Sequence, residues 1–248
     1  MPFFVLLLIS VLAGLGAAFL TRRWPGCDSA PSVVGGLLLA VLAVIVRSTD
    51  ALSGIDSSVA EWGDEHAGAW THDALTLVTY LGETVTVTVV AIVVAAVEYA
   101  RTRSRWVVLF LLAVILGDKL LTEAIKQLVD RARPEIEAVA ATLGPSFPSG
   151  HTSTAAASWA AFALVAGRWW GRRAWPALAG AAVGIAVAVA LSRVLLDVHW
   201  LTDVLGGLAL GWAWFAACAI AFGGRLLSFG ASARAAGQVE PSRSRSLS

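Results

Sequence analysis

Charged residues are scarce in this sequence. Asp, Glu, Lys and Arg make up 14% of its 248 residues, against about 25% in an average soluble domain. A chain with so little charge cannot present an ordinary solvated surface all round. Lysine is scarcer still, with only Lys119 and Lys126 present, so that nearly every cation is an arginine. The net charge of +1 and the lack of a basic stripe argue against nucleic acid as a partner. Cys27 and Cys218 are too few for a disulfide framework or a zinc pattern. No carboxylate cluster marks a metal cage, so neither a metal nor another cofactor is expected. A charged segment ahead of the first apolar run is also missing. Met1-Pro2-Phe3-Phe4 leads straight into that run, which therefore reads as a membrane span and not as a cleaved signal peptide.

Apolar residues fill the gap. They make up 58% of the chain, and the mean hydropathy is +0.76, as expected of a protein whose solvent is a bilayer. Crossing the hydrocarbon core takes roughly 20 mostly apolar residues per helix. Stretches that meet or approach this lie near 2–21, 31–47, 75–98, 105–129, 150–167, 176–195 and 200–222. The predicted fold class is all-α, a polytopic helical bundle. Arginines collect at 22/23, 101/103/105, 168/172/173 and 225 onward, which the positive-inside rule assigns to the cytoplasm. The connections 48–74, 130–149 and 196–199 then face outward. Segment 48–74 is acidic, with Trp62 and Trp70, and reads as an outer loop holding an interfacial amphipathic piece. Its His66 and His72 receive no role. Arg131, Arg133 and Arg193 lie against the charge rule, on the outer side. Trp106, Trp169, Trp170, Trp175 and Trp200 fall near span ends and read as interfacial anchors. Residues 226–248 form a Ser-, Arg- and Ala-rich tail, predicted to be disordered and cytoplasmic.

Three motifs carry chemistry. The first runs from Lys126 to Arg133-Pro134. Seven residues span two helical turns to within about 20°, so both cations would share a face if the helix continues to the proline. Read alone, this is equally a basic helix end interacting with its own dipole. The second is Phe147-Pro148-Ser149-Gly150-His151-Thr152, just before an apolar run. A helix opening there offers free N–H groups to an anion, with the Ser149 hydroxyl as a further donor and His151 at the mouth. Read alone, it is equally an N-cap serine with a histidine in the first turn. The third is Ser192-Arg193, then His199 and Asp203. The last two lie four residues apart on one helical face, where a carboxylate fixes the imidazole tautomer and leaves the other ring nitrogen free as a nucleophile. Ionisable groups at a membrane segment are costly to place without a function. Loop charges put all three motifs on the same outer surface, where a tetrahedral dianion would need several cations and N–H donors.

Lys-x6-Arg-Pro, Pro-Ser-Gly-His and Ser-Arg-x5-His-x3-Asp together resemble the three-part signature of the type 2 phosphatidic acid phosphatases. This PAP2, or lipid phosphate phosphatase, superfamily shares its site with vanadium haloperoxidases. The resemblance covers about 105–205 directly and implies a six-helix core, here 31–225, preceded by an extra N-terminal transmembrane helix within 1–30. It implies that His199 attacks phosphorus, that Asp203 holds it, and that His151 serves as acid and then base. Lys126, Arg133 and Arg193 would clamp the phosphoryl oxygens with Ser149, Gly150 and Ser192. No metal is implied.

The function expected on this resemblance is metal-independent hydrolysis of a lipid phosphate or diphosphate at the extracytoplasmic face, through a phosphohistidine. Undecaprenyl diphosphate ranks first, ahead of phosphatidylglycerol phosphate and phosphatidic acid. Alternatives are a phospho-headgroup transferase using the same site, a non-catalytic lipid-phosphate binder or transporter, and a haloperoxidase. The expected partners are the lipid substrate and the surrounding membrane lipids. No motif speaks to an oligomeric state.

Overall fold

The computed structural model of the chain describes residues 52–66, 69–133, 144–171 and 173–236. The spans expected at 2–21 and 31–47, with Cys27, the proposed N-terminal segment 1–30 and the last part of the tail, 237–248, lie outside the described residues. Those residues form α1 (Ser53–His66), α2 (Ala69–Thr79), a 3-10 turn (Tyr80–Gly82), α3 (Thr84–Thr102), α4 (Arg105–Val129), α5 (Gly150–Trp170), α6 (Trp175–Leu195) and α7 (Leu201–Ala236). No strand occurs among them. Helices α3, α6 and the first 22 residues of α7 are long and apolar enough to cross a membrane.

The sequence of α3, Thr84-Val-Thr-Val-Thr-Val-Val, favours strands in water. It is helical here because a bilayer leaves each backbone group to be satisfied within its own segment. Val85, Val89, Ile92 and Val93 face outward, while Val87 and Ala91 pack inward. Helix α4 starts on a Ser104 cap, whose hydroxyl accepts from the Trp106 N–H, and likewise turns Leu109, Leu112, Leu116 and Leu120 outward. Helix α5 sits in the middle, packed on α3, α4, α6 and α7. Its alanines 155, 156, 157 and 161 are buried, as expected where helices approach closely in lipid. Gly207 of α7 shows how close. A Cβ added there would lie 2.7 Å from the Ser149 carbonyl oxygen.

Buried polar groups fix the register. Asp118 of α4 accepts from the Ser153 hydroxyl and, at 3.1 Å, from Thr154 of α5. At the opposite end, Glu98 of α3 accepts from Trp169 Nε1 at 2.6 Å and pairs with Arg168 at 3.1 Å.

Two sequence expectations are corrected. The span expected at 75–98 is broken at the 3-10 turn, and the crossing helix is Thr84–Thr102. Gly82 seats that turn on α5, since a Cβ at this position would lie 2.5 Å from the His151 carbonyl oxygen. The tail is not disordered from 226: α7 continues to Ala236, through a Leu- and Ala-rich stretch of good helix formers. The acidic segment 48–74 contains α1 and most of α2.

Candidate active site

The end of α4, the start of α5, the end of α6 and the start of α7 meet at one end of the bundle. Helix α4 stops at Val129. Asp130 takes a left-handed conformation at φ 47°, and its N–H closes on the Lys126 carbonyl at 2.9 Å. Asp tolerates this region better than most residues. The condition for Lys126 and Arg133 to share a helical face, a helix running on to the proline, is therefore not met. Cross-loop bonds replace the lost helical ones: Ser146 N–H to Arg131 O at 2.8 Å, and Trp200 Nε1 to Ala132 O at 3.0 Å. Arg133 reaches the site by this turn. Its Nε donates to Gly144 O at 2.9 Å and its Nη1 to Val198 O at 2.7 Å, and Nη1 lies 3.2 Å from His199 Nε2.

An arginine only donates, so His199 Nε2 carries a lone pair, and Nδ1 holds the proton of the neutral ring. Nδ1 faces Asp203 Oδ2 at 3.4 Å, short of a well-formed hydrogen bond. His199 and Asp203 are both buried. Burial foremost, then the charges of Arg133 and Arg193, push the His199 imidazole down to about 4, against the upward pull of Asp203. Asp203 also accepts from the Trp200 N–H at 3.0 Å, the backward half of a capping box at the start of α7. One carboxylate thus opens the helix and faces the imidazole.

Ser149 precedes α5 and is fully buried. Its N–H donates to the Asp203 carbonyl at 3.0 Å, which locks the second motif to the third. Its hydroxyl oxygen accepts from Thr152 at 3.0 Å, leaving its own hydrogen to donate. The N–H groups of Gly150 and His151 belong to the first turn and have no partner within the helix. His151 lies in the fields of Arg193, His199, Lys126 and Arg133, and Lys126 in those of Arg133, Asp203 and Arg193. Arg193 donates to the Thr79 hydroxyl at 3.1 Å, and its buried Nε has no partner. A buried, unpaired guanidinium N–H is a donor in want of an anion. Ser192 is the exception. It is buried, and its hydroxyl donates to Val189 O within its own helix at 2.7 Å, so it is not presented to the site as a donor.

Behind the site lie residues that sequence reasoning left unassigned. Arg131 donates to Asp203 Oδ1 at 2.7 Å, to the Thr202 hydroxyl at 2.7 Å and to Asp56 Oδ2 at 2.8 Å. Asp56, in the first turn of α1, is buried. Arg131 was visible as a cation against the charge rule. Asp56, Thr79 and Thr202 carried no signal.

The arrangement pairs a neutral imidazole with a second histidine, three cations and a helix N-terminus. A family model described as the PAP2 superfamily matches residues 106–226. Phosphatidylglycerophosphatase B of Bacillus subtilis is 30% identical over 177 residues, covering 71% of this chain and 86% of that protein. The chain belongs to the PAP2 superfamily. A lipid A 1-phosphatase of Rhizobium johnstonii is 32% identical over 120 residues, covering 44% of this chain and 45% of that one. The crystal structure of a transmembrane PAP2 type phosphatidylglycerolphosphate phosphatase from Bacillus subtilis matches with a TM-score of 0.73 at 27% identity, over 79% of this chain and 96% of that chain. This PAP2 protein is a phosphatase and an integral membrane protein.

Proposed function

We propose that this PAP2 phosphatase hydrolyses a lipid phosphate at the extracytoplasmic face through a phosphohistidine on His199. The observation that carries the reading is the orientation of His199, with Nδ1 toward Asp203 and the lone pair of Nε2 toward the cations. In the first step Nε2 attacks phosphorus and the bond to the lipid oxygen breaks. His151 gives that oxygen its proton, and the lipid alcohol leaves. In the second step water attacks phosphorus, His151 takes a proton from it, the P–N bond breaks and phosphate departs. Lys126, Arg133 and Arg193 offset the charge of the transferring group, with the Ser149 hydroxyl and the Gly150 N–H as further donors. These groups supply the charge stabilisation that a metal would otherwise give.

The names of the relatives put phosphatidylglycerol phosphate ahead of undecaprenyl diphosphate as the first substrate to try. The outward face is supported by Arg101, Arg103, Arg105 and Arg168, which lie at the opposite end of the bundle. The test is phosphate release by purified protein across a panel of phosphatidylglycerol phosphate, phosphatidic acid, undecaprenyl diphosphate and soluble sugar phosphates, with EDTA present. We expect release from a lipid phosphate, acid-labile phosphate on the quenched protein, and loss of both in His199→Ala. Turnover retained by His199→Ala would overturn the nucleophile assignment.

A further inference from the structure

Four groups close a buried network behind His199. Asp56 Oδ1 accepts from the Thr202 N–H at 3.0 Å, and Oδ2 accepts from the Thr202 hydroxyl at 2.7 Å and from Arg131 at 2.8 Å. Arg131 in turn donates to Asp203 at 2.7 Å, and its guanidinium lies 5.6 Å from the centre of the Trp200 ring. Asp56 lies 146 residues before Thr202 and outside the three motifs. Its carboxylate is 1% exposed, so it is held by these partners and not by water.

The chemistry of Asp203 makes this arrangement informative. A carboxylate facing an imidazole stabilises the positive charge that develops when the ring attacks phosphorus. An arginine bonded to the same carboxylate orients it but also cancels its charge. Two carboxylates around one guanidinium leave a net charge of −1. We propose that Asp56 is a positioning residue for the His199–Asp203 pair, balancing the charge of Arg131 so that Arg131 can hold Asp203 in place without neutralising it. The inference rests on His199 being the nucleophile. It also gives α1, which carries no motif, a part in the reaction.

Opposite charge changes in the network should have opposite effects on His199. Asp56→Asn leaves Arg131 to neutralise Asp203, disfavouring the imidazolium. Arg131→Gln leaves two carboxylates unbalanced, favouring it. The other charged or titratable groups acting on the ring are Arg133 from the loop after α4, Arg193 from α6 and His151 from α5, with Lys126 of α4 in the field of Asp203, and both variants keep them all.

The experiment measures steady-state kinetics of purified full-length Asp56→Asn, Arg131→Gln and His199→Ala, on whichever lipid of the panel above the unaltered protein hydrolyses fastest. Each network variant is expected to lower kcat at least about tenfold, with KM within about twofold, the scale seen for groups that orient a ligand from behind. The acid limb of kcat/KM should move to lower pH in Asp56→Asn and to higher pH in Arg131→Gln. A merely structural role would not split the two limbs. An unchanged kcat in Asp56→Asn, a loss confined to KM, or limbs that move the same way would each overturn the proposal. Should Asp56→Asn not be recovered as monodisperse protein, Arg131→Gln decides alone: an upward shift supports the proposal, and an unshifted or lowered limb overturns it. Activity surviving in His199→Ala would instead overturn the underlying reading of the site.

Discussion

The imidazole of His199 is kept neutral by its surroundings. An ordinary histidine is half protonated near pH 6.5, whereas burial brings this one to about 4. The acid limb of kcat/KM is therefore expected near pH 4, read from initial rates across the acid range; a limb near 6.5 would contradict the burial seen here. The same depression acts on stability. Between those two values the unfolded chain binds a proton that the native protein does not, so this contribution is full above pH 6.5 and lost as pH falls toward 4. Asp203→Asn removes the group that raises the His199 value, so it should move the limb lower still and cut kcat by about a hundredfold or more. Arg193→Lys should also fail, by about a hundredfold in kcat. An ammonium lacks the planar fork by which the guanidinium reaches Thr79 through Nη1 and keeps Nε as a separate donor. The residues that touch the site were legible because they recur at short spacings, such as the four residues from His199 to Asp203. Asp56 was not, because nothing local couples a helix-opening aspartate to a threonine 146 positions away.

Helices α5 and α7 show the element scale at its tightest. The Ser149 N–H to Asp203 carbonyl bond requires their N-termini to stay in contact, and Gly207 makes room for that contact. Gly207→Ala places a methyl group 2.7 Å from the Ser149 carbonyl oxygen. Backbone cannot swing aside as a long side chain can, so α5 must move. We expect a loss of about 1–3 kcal/mol, visible as a lower Tm in detergent, together with reduced turnover as Ser149, Gly150 and His151 shift from Asp203. Helix limits were legible where apolar runs end in punctuation: α6 spans Trp175–Leu195 against an expected 176–195. They were misread at 75–98, because hydropathy reports which residues tolerate lipid and not where a chain bends. The turn at Tyr80–Gly82 is set by its contact with α5, which no window of sequence contains.

At the scale of the whole molecule, the site and the clustered arginines occupy opposite ends. With Cys27→Ser and Cys218→Ala as background, Ala132→Cys should react with a membrane-impermeant thiol reagent on intact cells. Arg101→Cys should react only after permeabilisation. The reverse pattern would place the site on the cytoplasmic side. Loop charges already separated the motifs from the arginine clusters in the sequence; which side of the membrane each occupies is what the labelling tests. The motifs alone did not show that a helix outside them, α1, closes the back of the site, because that contact depends on how the acidic segment folds.

The 3.2 Å approach of Arg133 to His199 Nε2 has a chemical consequence of its own. A neutral imidazole with an exposed lone pair reacts with many electrophiles, and this ring is held neutral across the physiological range. That lone pair accepts an N–H from the guanidinium, which shields it from acylating or alkylating reagents. On the proposed mechanism, an incoming phosphate competes for the same guanidinium and unmasks the nitrogen that attacks it. Reactivity and recognition are thereby coupled through one hydrogen bond.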